Sequence, residues 1–165
     1  MHALKGPVEN SVPKWKYSVS GLDPDKTVKC AGRELRVSPK AAVEICRTIR
    51  GMKVEKAKEL LEEVSAKRRA VAYKRYKKEV PHKSLDEPWY AGRYPVKTAS
   101  AVLKILEGLE ANAEYKGLNL GKLRIIHASS HRGMKLRNYT PRAHGRSSPS
   151  FNTLTHLEII GYEGE

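Results

Sequence analysis

From Tyr115 through Leu157 the chain carries no acidic residue, while Lys116, Lys122, Arg124, Arg132, Lys135, Arg137, Arg142 and Arg146 all fall in that span. Two strand-like runs bracket its central part. Leu123 to Ala128 (LRIIHA) is short, apolar and β-branched, and His156 to Tyr162 (HLEIIGY) closes the chain in the same style. The residues between them lack helical periodicity. Two such runs should pair, which makes the intervening stretch the loop end of a hairpin rather than a free basic tail. With arms from Arg132 to Thr140 and from Ser147 to Thr155, each arm has about nine residues and reaches roughly 30 Å at ~3.3 Å per residue. A compact domain of this length has a radius of gyration of only about 15 Å. A hairpin over about residues 131–156 would therefore project well beyond the body. It has little to bury (Met134, Leu136, Tyr139, Phe151 and Leu154), and a lone two-stranded ribbon is marginal in water. Such an arm needs a partner.

The body reads as helices. Ser38-Pro39 predicts a helix start, with a capping hydroxyl followed by proline where its missing N–H costs nothing. Ala42, Ile45, Cys46 and Ile49 recur at helical spacing, and Gly51 suits the left-handed residue past the end. A second helix carries Val54, Ala57, Leu60, Leu61 and Val64 on one face and Glu55, Lys58, Glu59 and Glu62 on the other. A third begins near Pro95, with Ala99, Val102, Leu103, Leu106, Leu109 and Ala113 as its stripe, and ends around Gly117. A short strand is expected over Thr27 to Val37, interrupted by Gly32. The order is thus β-α-α-α-β-β, an α+β fold with three helices packed on a small antiparallel three-stranded sheet and a long projecting hairpin. Residues 1–26, with scattered prolines and charges and with Trp15 and Tyr17, read as an extension ordered only against a partner or the body. Residues 27–165 form the single domain.

Charge and chemistry narrow the function. Lys+Arg exceed Asp+Glu by 32 − 18, a net charge of +14 over 165 residues, which favours a polyanionic partner. No apolar run approaches the ~20 residues of a membrane span, and no basic-then-apolar signal opens the chain, so a cytosolic protein without membrane contact is expected. Cys30 and Cys46 are too few for a zinc site, and no metal or cofactor is expected. Gly-rich phosphate loops, His-Glu-x-x-His and Gly-x-Ser-x-Gly are absent. The three aspartates, Asp23, Asp25 and Asp86, lie in extension or loop, and the glutamates mostly sit on exposed helix faces. His127 and His131 are close together without a carboxylate or cysteine neighbour in sequence. The chain is not expected to be an enzyme.

A second basic cluster, Lys67, Arg68, Arg69, Lys74, Arg75, Lys77 and Lys78, interleaves with Tyr73 and Tyr76. Cations on phosphates with rings on unpaired bases suit folded RNA; the less favoured alternative is a solvated helix end whose tyrosines cap the core. The loop from His82 to Tyr94, with Trp89 and Tyr90, extends the same stretch. The expected RNA contacts are Arg68, Arg69, Lys74, Arg75, Lys77 and Lys78 in the body and Arg132, Lys135, Arg137, Arg142, His144 and Arg146 in the hairpin.

The hairpin also carries a family resemblance. Thr140-Pro141-Arg142-Ala143-His144-Gly145-Arg146 resembles the tip motif Pro-Arg-Ala-x-Gly-Arg of the large-subunit ribosomal protein twenty-two family (bacterial count). Ser38-Pro39-Lys40, Ala72-Tyr73-Lys74-Arg75-Tyr76, Asn112-Ala113-Glu114 and His156-Leu157-Glu158-Ile159 follow in that family's order, so the resemblance spans roughly Thr27 to Tyr162. The long extension and the insertion around Pro81 to Tyr94 resemble the archaeal and eukaryotic branch. His144 departs from the lysine common in bacterial members. The resemblance implies a ribosomal protein of the large subunit that binds its ribosomal RNA and adjoins neighbouring ribosomal proteins. It further implies a tip (Pro141, Arg142, Ala143, His144, Gly145 and Arg146) that helps line the exit tunnel beside the nascent peptide. Paired basic β-arms with proline at the tip also occur in architectural proteins that bend DNA, which are usually short dimerising chains.

Overall fold

The computed structural model describes residues 16–164. Strand β1 (Thr27–Leu35) leads into helices α1 (Pro39–Ile49) and α2 (Val54–Ser65). The two-residue strands β2 (Val71–Ala72) and β3 (Gly92–Arg93) follow, then α3 (Val96–Tyr115), a 3-10 turn at Leu120–Lys122, and β4 (Leu123–Leu136). The chain ends through β5 (Tyr139–Pro141), β6 (Ser147–Pro149) and β7 (Asn152–Glu163). The principal sheet has three antiparallel strands in the order β1-β7-β4. The expected α+β architecture is present, with a two-residue β2–β3 ladder added across the segment expected as an insertion.

The helix stripes meet as their spacing requires. Ala42, Ile45, Cys46 and Ile49 of α1, Val54, Ala57, Leu61 and Val64 of α2, and Ala99, Val102, Leu106 and Leu109 of α3 are buried together against Ile125, Ala128, Leu157 and Ile159 of the sheet. Leu103 is only partly buried, and Ile105 is buried in its place. Ser38 holds the N-cap position and Pro39 follows it, but the serine side chain makes no capping hydrogen bond, so that expectation is corrected. Gly51 ends α1 at a positive φ of 86°. β1 continues through Gly32, but its register with β7 shifts between Gly32 and Leu35. A Cβ on Gly32 would sit 2.8 Å from Ile105 Cδ1, so glycine lets α3 approach the sheet at this point. Both cysteines are free, Cys46 buried and Cys30 half-buried. The outer edge of β4 is covered by the α1–α2 turn, where Gly51 N–H donates to the Ile125 carbonyl (2.7 Å) and Ile125 N–H to that of Met52 (2.9 Å).

The arms of the hairpin are longer than expected, because they are the body strands carried outward. β4 and β7 pair without leaving the sheet from Leu123↔Glu163 to Leu136↔Asn152, with register shifts at Ile125/His127 and Arg132/Lys135. The ladder then lapses and resumes as β5–β6, from Tyr139↔Pro149 to Pro141↔Ser147. Pro141 and Pro149 remove two backbone donors from this distal piece. One bond spans the lapse, from Ser150 N–H to the Asn138 carbonyl (2.7 Å). Nearly every residue from Arg137 to Asn152 is exposed.

Hydrogen exchange on the isolated protein should follow this division. Amides of residues 137–151 should exchange fast, while those of Val102 to Leu109 and Leu157 to Ile160 should be slow. Uniform protection along the hairpin would show that the distal ladder stands without a partner.

Candidate nucleic-acid interface

The basic loop after β2 is organised by an acid. Glu44, on the buried side of α1, is fully shielded from solvent. Its carboxylate accepts the backbone N–H groups of Lys74 (3.2 Å), Arg75 (2.8 Å) and Tyr76 (2.8 Å). Three successive amides converging on one carboxylate fix the loop and turn its cationic side chains outward, where Lys74, Arg75, Lys77 and Lys78 are exposed. Tyr73 is not available for stacking on a base. It is 5 % exposed, and burial pushes its hydroxyl up to about 12. Tyr76 is half-buried beneath Lys40 and Arg75, whose charged groups lie 5.8 and 5.6 Å from its ring centre.

The tertiary structure sorts the expected contacts. Arg75, Lys77 and Lys78 line one crevice with Lys40, Arg93 and Lys97. Arg132 and Lys135 line a second with Arg36, and Lys40 and Lys97 belong to both. The starts of α1 and α3 thus join the loop and the hairpin root into one basic face. Arg36, Lys40, Arg93 and Lys97 were missed from the sequence, because they are isolated cations separated by up to about sixty positions. Two expected contacts are engaged by acids. Arg69 pairs with Glu63 (3.3 Å) and with Asp86 (2.5 Å), and Lys74 pairs with Glu87. The insertion therefore braces the loop with its carboxylates, while Trp89 Nε1 donates to the Tyr73 carbonyl (3.0 Å) and Lys77 sits over the Trp89 ring. Arg68 and Arg137 are exposed and stand apart from both crevices.

At the tip, Arg142 N–H donates to the Arg146 carbonyl (2.8 Å) and closes a tight loop. Gly145 has φ +67° with no heavy atom near its absent Cβ, so a side chain there would meet backbone strain and not a clash. His144 shares the left-handed conformation (φ 56°) without being glycine, which the sequence did not reveal. Arg142, His144 and Arg146 are exposed, and Arg142 Nε also reaches Ser148 Oγ (3.3 Å).

The histidines of β4 do have a carboxylate neighbour, contrary to expectation. The ladder places Ser129 opposite Glu158, which is 1 % exposed. Glu158 accepts from Ser129 Oγ (2.9 Å), from the Ser18 hydroxyl and from Ser18 N–H (3.2 Å), and it meets His127 Nε2 at 3.0 Å and His131 Nε2 at 3.5 Å. Burial alone would raise the Glu158 carboxyl, but the hydrogen bonds from Ser18, Ser129 and His127 outweigh it and push the group down to about 2. Among the described residues no group of His, Cys, Asp and Glu is arranged to hold a metal ion. The cluster fastens the extension to the sheet instead. Trp15 and the residues before it lie outside the described part.

A basic face on α1, α3 and one loop, carried beside a long exposed hairpin, is the arrangement that comparison with known proteins must explain. The model of the family described as ribosomal protein L22p/L17e matches residues 30–161. The chain belongs to that family. A protein of Thermofilum pendens named large ribosomal subunit protein uL22 is 49% identical over 154 residues, 93% of this chain and 100% of the relative. Proteins of the same name from Archaeoglobus fulgidus and Methanocaldococcus jannaschii are 50% and 48% identical, covering 87% and 89% of this chain and 93% and 94% of their own. As an L22p/L17e member the chain is a structural ribosomal protein of the cytoplasm and not an enzyme. No helix among the described residues is long and apolar enough to cross a membrane.

Two buried acids thus fasten segments of this family member, Glu44 the basic loop and Glu158 the extension, and each has a measurable consequence. Glu44→Ala leaves three amides without their shared acceptor. It should cost at least about 1.5–3 kcal/mol in denaturant unfolding and speed exchange at residues 74–76. Equal stability and unchanged exchange would show the loop to be held by other contacts. The folded Glu158 carboxyl titrates below its ordinary value of 4.5. It therefore contributes stability above that value and loses it as pH falls toward about 2, a contribution on the order of 3 kcal/mol at neutral pH. Glu158→Gln should lower the thermal midpoint at neutral pH and flatten its decline in acid. An acid limb as steep as that of the wild type would count against this linkage.

Proposed function

We propose that the chain is a structural constituent of the large ribosomal subunit that binds large-subunit ribosomal RNA as one domain, residues 27–165 with the extension 1–26. The observation that carries this reading is the cation face. Lys40, Arg75, Lys77, Lys78, Arg93 and Lys97 converge on one crevice, and none of them is paired with a carboxylate of the described residues. The relatives' name, large ribosomal subunit protein uL22, supports the choice of particle. Family membership removes the ground for an architectural DNA-binding protein.

Body and hairpin have different tasks in this reading. The body face, Arg68 and the stalk cations Arg132, Lys135 and Arg137 anchor the protein by phosphate contacts, while Arg69 and Lys74 mainly brace the loop against the insertion. The exposed hairpin enters the RNA, and its tip (Pro141, Arg142, Ala143, His144, Gly145 and Arg146) helps line the exit tunnel beside the nascent peptide. Neighbouring ribosomal proteins adjoin the body. The exposure of the arm and the tip motif support this placement.

Binding to a large-subunit RNA fragment should be strongly salt-dependent. With about 6–10 phosphate contacts, affinity should fall roughly 10³–10⁵-fold between ~50 and ~200 mM salt. A nearly flat dependence would defeat the electrostatic reading. Replacing Arg75, Lys77 and Lys78 with alanine should impair incorporation into the subunit. Replacing Arg142 and Arg146 should leave incorporation largely intact yet change the chemical reactivity of nearby RNA bases or pausing on tunnel-sensitive peptides. The reverse pattern would overturn the division of labour.

A further inference from the structure

We infer that the crevice between the hairpin root and the start of α1 seats an unpaired RNA nucleotide, its phosphate among Arg36, Lys40, Lys97, Arg132 and Lys135 and its base against Phe151. The inference rests on the RNA-binding reading above and names what one part of that face recognises.

The crevice is an open cavity of about 970 Å³, a volume at the upper end of what small-molecule sites of roughly 300–1,000 Å³ enclose. Its walls come from four places in the fold. Arg36 belongs to the turn after β1, Lys40 to α1, Lys97 to α3, and Arg132 and Lys135 to β4. Five cations surround the space and no carboxylate lines it. Such like charges repel across a shared cavity, and a polyanion entering it relieves that repulsion while releasing its own counterions. The first turn of α1 opens on the same space without a side-chain cap, which adds a partial positive charge to the cationic walls.

Charge alone would suit any phosphate backbone. What selects an unpaired nucleotide is the apolar part of the cavity. Phe151, Leu136, Leu154 and Pro39 line it, and Phe151 remains 44% exposed although it is large and apolar. Phe151 falls where the ladder lapses, between the Leu136↔Asn152 pair and the Tyr139↔Pro149 pair, so it is released from strand pairing. Tyr139 packs against it edge to face, with ring centres 5.6 Å apart at 89°, and steadies the ring. In an RNA duplex the bases are stacked inside the helix and present no free face, whereas an unpaired base can lie on an aromatic ring. In the basic loop Tyr73 is buried, and the half-buried Tyr76 lies beneath Lys40 and Arg75. At the hairpin root a large exposed ring and five unpaired cations share one cavity.

The full-length chain can be tested by fluorescence anisotropy with a labelled oligouridylate strand and with an RNA duplex of the same length. The readout is the ratio of the two affinities at one salt concentration. Phe151→Ala and Phe151→Leu should each lower the preference for the single strand by about 5–150-fold, the loss expected for one stacked base. Phe151→Tyr, which keeps a ring, should retain the preference. Thermal unfolding of each variant establishes that it is folded. Lys40→Glu with Lys97→Glu should weaken binding and reduce its salt slope. A ratio unchanged in both Phe151→Ala and Phe151→Leu would overturn the base seat. Competition by polyglutamate as effective as that by oligouridylate would also overturn it, since the crevice would then be a general anion site. Failure of the wild-type chain to bind either RNA would instead refute the RNA-binding reading on which the seat depends.

Discussion

Strand β7 is the member on which the rest of the molecule depends. It is hydrogen-bonded along both edges, to β1 and to β4, and is buried on both faces through most of its length. Leu157 and Ile159 join the helical core, and the alternation of a strand then sends Glu158 and Ile160 to the opposite face. The same strand, with β4, runs on into the hairpin. A two-stranded ribbon is marginal by itself, but this one grows out of a sheet whose other end is packed against three helices. Its root is therefore set by the body, and only the piece beyond the lapse at Asn138 and Ser150 lacks such support.

Two buried carboxylates shape a chain whose formal charge is +14. Glu44 gathers the amides of a loop made largely of cations, and Glu158 gathers hydroxyls, an amide and imidazoles around the point where the extension meets the sheet. A buried charge is costly unless its oxygens are satisfied, and here they are satisfied by the segments that need holding. A carboxylate accepting several donors is a strong local fastener, and it works without apolar area, which these polar segments do not have. The acids of the insertion act nearer the surface, where Asp86 and Glu87 engage Arg69 and Lys74. Exposed pairs of this kind contribute little to stability. Their larger effect is to decide which cations remain free.

The face that results is discontinuous in sequence. Arg36, Lys40, Arg93 and Lys97 come from the ends of elements that the core brings side by side, and they bridge two clusters that each stand out in the sequence. The histidine pair shows the same effect in reverse. His127 and His131 have no acid nearby in sequence, yet strand pairing sets Glu158 opposite Ser129, the residue midway between them, within reach of both rings.

The sequence by itself determined the three helices, the order of the principal elements along the chain, the basic hairpin and the tip with its glycine, because each is written in local periodicity, in turn chemistry or in an unbroken run of charge. The family, too, was legible in the tip motif. Tertiary structure alone decided which cations share a cavity, which are engaged by acids, which tyrosine is buried and which phenylalanine is exposed. Those are properties of neighbours distant along the chain. Glu44 looks like any helical glutamate until β2 and its loop pack against it, and Phe151 looks like any strand residue until the ladder lapses beside it. Periodicity states which face a residue occupies, and only packing states what lies across from it.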